Sequence, residues 1–428
     1  MASFSIPLTG LKADSTALNT IANNLANMNT TAFKAQSTQF SDLFYQAYGT
    51  TGSGDPIQVG AGVQVAANST DFTRGSVSST GVPTDVAIAG DSGFFVVSNG
   101  NGGYEYTRAG NFTLTDTGAL VSANGLSVMG YPAVNGVVNP NANLVPILIP
   151  KGSVQQPQAT TSFSMTGNLN AAAQAGASSA YPGQVTVYDS LGVSHVVTVT
   201  YTETSSNTWD FSAALPASEF ASGVSTPITG TLNFDSSGVL ASVTMGGVTT
   251  PVGTATGDLS SIPMSFTGLA DGAANLNMSW NLLDSNNSPT IQQVASDSGF
   301  THTDQDGYPS SQYSGFSIGA DGTVSVTYGS GQSQVVGQIA LADVTNVQGL
   351  SKLGNGDYAT TIASGSATVG IPGTNGLGSL QSNALEGANV NISQEFANLI
   401  VAQRAFEANS KAVTTFDTVT QETINMIH

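Results

Sequence analysis

The two ends of the chain carry apolar residues at helical spacing, unlike the interior. Near the start, a seam with steps of three and four residues runs through Leu11, Asp14, Leu18, Ile21, Leu25 and Met28. Near the end, a seam of ten steps over 35 residues runs through Ile392, Phe396, Leu399, Ala402, Phe406, Asn409, Val413, Phe416, Thr420, Ile424 and Ile427. Its mean step of 3.5 residues is that of a coiled coil. The pattern predicts two terminal helices that pack against other helices.

The second helix should begin at a capping box formed by Asn391 and Gln394. From there to Ile427 it would be roughly 55 Å long at 1.5 Å per residue. A compact domain cannot cover so long a stripe. We therefore expect the N-terminal helix to be its first partner and copies from other subunits to be further partners.

The interior alternates apolar and polar residues and is interrupted by turn dipeptides, a pattern typical of antiparallel β domains. Strands are predicted at 94–97, 104–107, 185–188, 196–201 and 324–328. Hairpin turns are predicted at Asn99-Gly100, Asn124-Gly125, Asn135-Gly136, Gly246-Gly247 and Asp321-Gly322. The fold class is therefore multidomain α+β, with paired terminal helices and antiparallel β domains.

The charge balance narrows the possible functions. The chain has 8 Lys plus Arg against 27 Asp plus Glu, a net charge of −19, which excludes a nucleic-acid binder and disfavours an anionic membrane surface. Cysteine is absent, so disulfides and thiol chemistry are excluded. The sequence has neither a signal peptide nor the roughly 20 apolar residues of a membrane-spanning helix.

Candidate chemical motifs are weak. Gly90-Asp-Ser-Gly93 is similar to a serine protease nucleophile segment, but the first histidine is His195, whereas such a protease needs one before its serine. Asp304-Gln-Asp-Gly307 resembles the start of a calcium loop without the closing Glu, and we interpret it as a turn. His195 itself falls on a predicted strand. The sequence therefore predicts no enzyme, no catalytic residue, no cofactor and no metal site.

Three separated motifs resemble those of the bacterial flagellar rod and hook family. The N-terminal motif is Ala22-Asn-Asn-Leu-Ala-Asn-Met-Asn-Thr-Thr-Ala-Phe-Lys34, and the C-terminal one comprises Asn383-Ala-Leu-Glu-Gly-Ala-Asn-Val390 and Leu399-Ile-Val-Ala-Gln-Arg-Ala-Phe-Glu407. Between them lie Asp85-Val-Ala-Ile-Ala-Gly90, Tyr106-Thr-Arg-Ala-Gly-Asn-Phe112 and Gly130-Tyr-Pro132, and a weaker match, Val187–His195, favours the hook subunits. The motif residues we single out are Asn23, Asn24, Leu25, Asn27, Phe33, Lys34, Gln403 and Arg404.

The sequence departs from the family at Ala32, where glycine is usual. Glycine adopts a positive φ at little cost and alanine does not. We therefore expect the turn after the first helix to be built differently.

The resemblance implies a division of the chain into domains. Residues 1–28 and 388–428 would form an inner coiled-coil domain, and 29–70 and 375–387 would be linker or extended connecting segments. Residues 71–148 and 299–374 would form a middle β domain, into which an outer β domain, 149–298, is inserted.

The resemblance also implies a function. The chain would be a structural subunit of the extracellular flagellar hook, joined to the basal body and exported without a cleaved signal peptide by the type III export apparatus. It would form a curved, flexible helical homopolymer that encloses the export channel and acts as a universal joint between rod and filament. Its other partners would be the distal rod protein, the hook cap and the hook–filament junction proteins, without nucleic acid or membrane insertion.

Two alternatives remain open at this point. The distal rod protein of the same family shares the terminal motifs but should lack the insertion at 149–298. An acidic, calcium-dependent surface-layer protein or adhesin could have the β composition, but it would not need coiled-coil seams at both ends.

Overall fold

Helices stand at both ends of the described chain. The structure is a computed structural model that describes residues 5–44, 46–51, 55–98, 100, 102–176 and 180–426. The helices are α1 (Ser5–Ala26) and α2 (Ile392–Asn425), which confirms the predicted terminal helices. The Asn391 side chain caps α2 by accepting a hydrogen bond from the Gln394 amide at 3.2 Å. The Gln394 side chain donates to Asn398 Oδ1, so Asn391 acts as an N-cap without the reciprocal bond of a capping box.

The segment after α1, predicted as a linker or extended connecting segment, consists mainly of paired strands. It forms β1 (Gln36–Asp42), β2 (Gln46–Thr50), β3 (Pro56–Val59) and β4 (Val63–Thr70), with β1 antiparallel to β4 and β2 to β3. These strands were not predicted individually, because β1 and β4 are rich in Gln, Ser and Thr and lack an apolar alternation. Polar contacts hold the hairpin on α1: Thr38 Oγ1 donates to Thr20 Oγ1 at 3.0 Å, and the Val63 amide donates to Thr9 Oγ1 at 3.2 Å.

The remaining strands follow in chain order. The first group is β5 (Val77–Ser79), β6 (Val86–Ile88), β7 (Phe94–Ser98), β8 (Tyr104–Thr107), β9 (Thr113–Leu114), β10 (Leu120–Val121), β11 (Ser127–Val134), β12 (Val137–Val138) and β13 (Val145–Pro146). The second group is β14 (Val154–Gln155), β15 (Ser162–Asn170), β16 (Tyr181–Tyr188), β17 (Ser194–Ser205), β18 (Thr208–Ala214), β19 (Ile228–Phe234), β20 (Leu240–Met245), β21 (Val248–Pro251), β22 (Ser261–Phe266), β23 (Leu276–Asn281), β24 (Ile291–Val294) and β25 (Gly299–Gln305). The third group is β26 (Ser311–Ile318), β27 (Thr323–Tyr328), β28 (Ser333–Ile339), β29 (Leu341–Asp343), β30 (Ser351–Gly354), β31 (Asp357–Ala359), β32 (Thr368–Gly370), β33 (Leu380–Ser382) and β34 (Ala384–Glu386).

The strands predicted from alternation are confirmed as β7, β8, β16, β17 and β27. The turn dipeptides also behave as predicted where they are described. Asn135 and Gly136 both have positive φ, 52° and 78°, between β11 and β12, and Gly246 and Gly247 do the same between β20 and β21. Asn99 of the predicted Asn99-Gly100 turn lies outside the described residues.

Contacts divide the chain into two compact units. The first unit comprises Met1–Lys151, Gly315–Thr327 and Ser333–His428, and the second comprises Gly152–Ser314 and Tyr328–Gln332. Among the described residues, neither helix combines the length and apolarity that a membrane crossing requires.

The first unit is organised around β11. Strand β11 pairs with β28 and with β7, and β7 continues to β8, β31 and β30. Phe72, Phe94 and Tyr358 pack their rings in its core with centroids 5.6 to 5.9 Å apart. Near the end of the chain β33 pairs with β6 and β34 with β5, so the predicted linker at 375–387 consists largely of paired strands.

The second unit has two sheets around one core. One sheet is the antiparallel meander β16 to β21, and the other has the order β22-β23-β15-β24 with β25 also on β15. Trp209, Trp280, Tyr201 and Phe211 are buried in the core. Strands β23 and β24 run parallel to β15, which the antiparallel prediction missed, because the chain reaches them only through a long crossover.

The second unit ends later than the sequence predicted. Strand β25 was assigned to the middle domain from residue 299 onward, yet it pairs antiparallel with β15 inside the second unit. Backbone pairing with β15 keeps this segment in the second unit.

Candidate assembly surface and its anchoring cluster

The two terminal helices pack antiparallel within the chain. Asn24 near the end of α1 donates from Nδ2 to Glu395 Oε1 near the start of α2, at 3.1 Å. Asn409 Nδ2 donates to Asp14 Oδ2 at 2.8 Å. Asp14 and Asn409 are polar members of the two predicted seams, so these seams meet at this point. A half-buried polar pair between two helices favours one register of the helices over the others.

The buried face of α1 is made of small and polar residues rather than of the predicted leucines. The buried members are Pro7, Gly10, Ala13, Thr20 and Asn24, and on the described part of α2 the buried residue is Ala402. Gly10 allows the close approach of Asn409, because a Cβ there would lie 2.6 Å from Asn409 Nδ2 and would force that side chain to shift.

The apolar seam residues are left half-buried or exposed in the single chain. Leu11, Leu18, Ile21, Leu25, Leu399, Val413 and Phe416 are half-buried. Met28, Ile392, Phe396, Phe406 and Ile424 are exposed, and Ile427 lies outside the described residues.

The most continuous exposed apolar feature of α2 is a row at four-residue spacing. Ile392, Phe396 and Ile400 are 46%, 52% and 58% exposed. Residues four apart are neighbours on one helix face, so the three form one ridge, called here the apolar row. Such a ridge is typical of a surface that packs against another helix.

A buried ion cluster joins the three sequence motifs. Lys34 Nζ contacts Glu386 Oε1 at 2.6 Å, and Arg108 Nε contacts Glu386 Oε2 at 3.2 Å, with all three side chains at most 2% exposed. Lys34 Nζ also donates to Thr73 O, and the Gly75 amide to Glu386 Oε1. Burial, opposed by the contact with Glu386, lowers the pKa of the Lys34 ammonium. We call Lys34, Arg108 and Glu386 the anchoring cluster.

Arg108 also explains the segment that is similar to a protease motif. Its guanidinium donates to the carbonyl oxygens of Gly90, Asp91 and Gly93 at 2.6 to 3.2 Å. The backbone carbonyl groups of this turn therefore bind the Arg108 guanidinium. Arg108 and Glu386 were not among the site residues predicted from the sequence, although both lie in the family motifs. A buried charge cannot be told from an exposed one until its partners, far away in the chain, are known.

Two asparagines and a strained turn fix the chain as it leaves α1. Asn24 is fully buried and exchanges hydrogen bonds with the backbone of Gln36, at 3.0 and 2.8 Å. Asn389 accepts from the Ala35 amide at 2.7 Å. Ala32 has φ 55°, and its amide donates to Glu386 O at 2.8 Å. The turn thus has the left-handed backbone that glycine would adopt, and the expectation of a different construction was wrong.

The other predicted motif residues are less enclosed. Asn23, Gln403 and Arg404 are exposed, and Leu25, Asn27 and Phe33 are half-buried. Arg404 Nη1 contacts Glu407 Oε2 at 3.1 Å on the surface of α2. Asn23, Asn27 and Phe33 also line a cavity of about 550 Å³ in the first unit.

In the second unit, His195 has charged neighbours that were not predicted from the sequence. It lies on β17, as predicted, but it is buried with three carboxylates around its ring. Burial works to lower the pKa of His195, but Asp189 and Glu219 outweigh it and raise the pKa. The signal was missed because the carboxylates come from three separate segments.

Asp306 lies in a bend directly after β25, within the segment Asp304–Gly307 that the sequence predicted to be a turn. Its carboxylate accepts hydrogen bonds from the amides of Thr161 and Ser162, at 2.8 and 3.0 Å, and from both hydroxyls. Burial works to raise the pKa of Asp306, but these bonds outweigh it and hold the pKa below its ordinary value.

Four family models match successive parts of the chain. They are the flagella basal body rod protein at residues 7–34, the flagellar hook protein FlgE/F/G D1 domain at 87–171, the flagellar basal body protein FlaE D2 domain at 160–308, and the flagellar basal body rod FlgEFG protein C-terminal region at 381–426. The matches cover the three motifs and most of the second unit.

Relatives match along the full length. The flagellar hook protein FlgE of Salmonella typhimurium is 34% identical, with 99% of this chain and 100% of that protein covered. The FlgE of Escherichia coli is 33% identical with 99% of each covered, and that of Treponema pallidum is 33% identical with 98% of each covered. The crystal structure of Helicobacter pylori flagellar hook protein FlgE2 has a similar fold, with a TM-score of 0.53, 16% identity, and 72% of this chain and 100% of that one covered.

Proposed function

The chain belongs to the family of bacterial flagellar hook proteins, and we propose on that premise how its parts divide the work of a hook subunit. It is a structural subunit of the flagellar hook, which is attached to the basal body. Our proposal is that α1 and α2 hold subunits together as an inner, coiled-coil-like layer. The β units surround that layer in a curved tube that transmits torque as a universal joint and encloses the export channel.

The exposed apolar row is the observation that carries this proposal. Ile392, Phe396 and Ile400 are exposed on α2, whereas Asn409 and the buried Ala402 lie on another face of the helix, where Asn409 contacts α1. A second apolar face would remain in water in a single chain, which costs about 25 cal/mol per Å² of apolar surface. Helices of neighbouring subunits would cover it. The exposed seam residues would then pack between subunits, whereas the seam residues Asp14, Ala402 and Asn409 pack within one.

The anchoring cluster gives the inner helices a rigid connection to the first unit. It joins the loop after α1, the β8 region and the strand that leads to α2 through buried ion pairs. Torque applied to the helices would reach the β sheet through these bonds and through Asn24 and Asn389. Arg404 and Lys411, on α2, would orient neighbouring subunits.

We assign the second unit, Gly152–Ser314 with Tyr328–Gln332, as the outer domain inserted into the middle domain. It contains no Lys or Arg and 11 of the 27 acids, so it suits a surface in contact with water. Polar side chains and bridging waters would let such domains exchange contacts as the tube bends.

The remaining partners are proposed from the family alone. They are the distal rod protein, the hook cap, the hook–filament junction proteins and the type III export apparatus. A head-to-tail interface between identical subunits produces the helical polymer that the role requires.

A truncated chain ending at Val390 tests the division of roles. We expect it to keep the β-sheet circular dichroism and the cooperative unfolding of the β units. It should remain monomeric in sedimentation velocity under conditions in which the full chain forms large particles. Polymers formed by the truncated chain as readily as by the full chain would contradict the proposal.

A further inference from the structure

A cluster of one histidine and three carboxylates lies in the second unit. His195 Nε2 is 3.2 Å from Asp189 Oδ2 and 3.5 Å from Asp271 Oδ2, and His195 Nδ1 is 2.9 Å from Glu219 Oε2. Asp189 is in the turn before β17, Glu219 is in the short helical turn Ala217–Glu219, and Asp271 is in the turn before β23. Folding therefore brings the adjacent turn with Asp189 and two more distant segments, with Glu219 and Asp271, to one imidazole.

The distances around Nε2 are those of a tetrahedral metal site. Zinc binds histidine nitrogen and carboxylate oxygen at about 2.0 to 2.2 Å, so two ligand atoms on a tetrahedron around it are about 3.3 to 3.5 Å apart. The two separations from Nε2 are 3.2 and 3.5 Å. The ligand atoms of Asp189, His195 and Asp271 all lie within 4.8 Å of one another.

The side chains of His195 and Asp189 are each held in orientation by hydrogen bonds to other groups of the protein. Glu219 contacts the opposite ring nitrogen, Nδ1, and leaves Nε2 facing the two aspartates. A carboxylate on the far nitrogen of a metal-binding histidine is the usual supporting contact. Asp189 Oδ1 accepts hydrogen bonds from the amides of Leu191 and Val193, both at 2.8 Å, which leaves Oδ2 for the site.

The charge of this unit leaves the carboxylates without a lysine or arginine partner. The unit contains no Lys or Arg, and the Asp189 side chain is fully buried. A buried carboxylate is costly unless a cation faces it. A single imidazolium supplies one positive charge to three carboxylates, and a divalent ion supplies two. The Asp271 side chain is 24% exposed, which gives an ion a way in from solvent.

We propose that Asp189, His195 and Asp271 bind a divalent transition-metal ion, with Zn²⁺ the best fit, and that Glu219 orients the histidine. The fourth position is open to water. Because the ligands come from separate segments, the ion stabilises the folded second unit and ties its turns together. This inference does not depend on the proposed function.

The test uses the full chain, freed of metal by a chelator and titrated with Zn²⁺ alone. We expect calorimetry to detect one ion per chain and the unfolding midpoint of the second unit to rise with Zn²⁺. Co²⁺, used as a second probe, should produce the visible absorption of a tetrahedral nitrogen and oxygen site. Asp271→Asn and His195→Gln should abolish these signals, and Glu219→Gln should weaken Zn²⁺ binding about 10-fold or more.

Asp297→Asn is the matched control, because it removes the same charge from an exposed position of the same unit. It should bind Zn²⁺ like the unaltered chain. If His195→Gln does not fold, Asp271→Asn decides the question, because its side chain is partly exposed and its loss leaves no cavity. Equal Zn²⁺ heats and equal unfolding midpoints for the unaltered chain and Asp271→Asn would overturn the proposal and leave a protonated His195 as the partner of the carboxylates.

Discussion

Glu386 is the residue on which the anchoring cluster depends. It accepts from both Lys34 and Arg108 and from the Gly75 amide, and it is fully buried. Removing its charge would leave two cations buried without a counter-ion, which typically costs 3 to 5 kcal/mol.

We expect Glu386→Gln to lower the free energy of unfolding of the first unit by about 3 to 5 kcal/mol, measured by urea denaturation. Glu407→Gln is the control, because Glu407 forms an exposed pair with Arg404 on α2 and should change stability by less than about 1 kcal/mol. Equal effects of the two substitutions would show that the cluster is not a structural anchor.

Asp306 should make the second unit sensitive to acid. Its folded-state pKa is below its ordinary value, so its contribution is present above the unfolded-state pKa and is lost as pH falls through the folded-state pKa. At neutral pH, Asp306→Asn should destabilise the second unit by about 1 to 2 kcal/mol, because it weakens hydrogen bonds to a charged acceptor.

Chemical denaturation between neutral pH and pH values below the ordinary pKa of Asp checks this expectation. The difference in free energy of unfolding between the unaltered chain and Asp306→Asn should shrink as the solution becomes more acidic. Asp304→Asn, at an exposed neighbouring position, should not show that convergence. A difference in free energy of unfolding that does not change with pH would mean that the charge of Asp306 does not stabilise the second unit.

Among the elements, the turn that ends α1 stores strain. Ala32 has φ 55°, a left-handed conformation that costs an L residue about 1 to 2 kcal/mol, partly offset by the lower entropy of unfolded alanine relative to glycine. We expect Ala32→Gly to raise the free energy of unfolding by about 0.5 to 1 kcal/mol. Ala22→Gly, at an exposed position inside α1, should lower it by about 1 kcal/mol, as urea denaturation would measure. If Ala32→Gly lowered the free energy of unfolding as much as Ala22→Gly does, strain at the turn would be excluded.

The helices and many strands could be predicted because their signals are local. A period of 3.5 residues marks α1 and α2, and alternation between turn dipeptides marks β7, β8, β16, β17 and β27. The strands β1 and β4 lack apolar alternation, so the sequence predicted only a linker or extended segment there. The place of β25 was missed because only its long-range pairing with β15 reveals it.

The seam residues remain a prediction. The sequence could not separate the buried residues Gly10, Ala13 and Ala402 from the exposed apolar row that we propose as the assembly surface. Small residues carry little hydrophobic signal, although they allow the closest helix approach. The anchoring cluster could not be predicted because its members are separated by long stretches of chain, and the histidine cluster could not because Glu219 and Asp271 lie far along the chain from Asp189 and His195.

For the whole molecule, the charge distribution predicts how assembly responds to salt. Residues 1–34 and 383–428 contain 4 cations and 6 acids, whereas residues 35–382 contain 4 cations and 21 acids. Packing such acidic subunits together costs repulsion that salt screens. We expect polymerisation, followed by light scattering, to strengthen as NaCl rises towards moderate concentrations. Polymers that dissolve on adding moderate NaCl would show that attractive ion pairs dominate instead.

We propose that the exposed face of α2 holds subunits together, and Phe396 lies in the middle of its apolar row. Phe396 is half exposed in the single chain, so Phe396→Glu should leave the monomer folded while placing a charge in the interface between helices. Phe396→Leu keeps an apolar side chain there and is the matched control.

Electron microscopy of the three purified proteins under identical assembly conditions is the decisive measurement. We predict curved tubes from the unaltered chain and from Phe396→Leu, and dispersed particles from Phe396→Glu with unchanged circular dichroism. Tubes of normal abundance from Phe396→Glu would contradict the account.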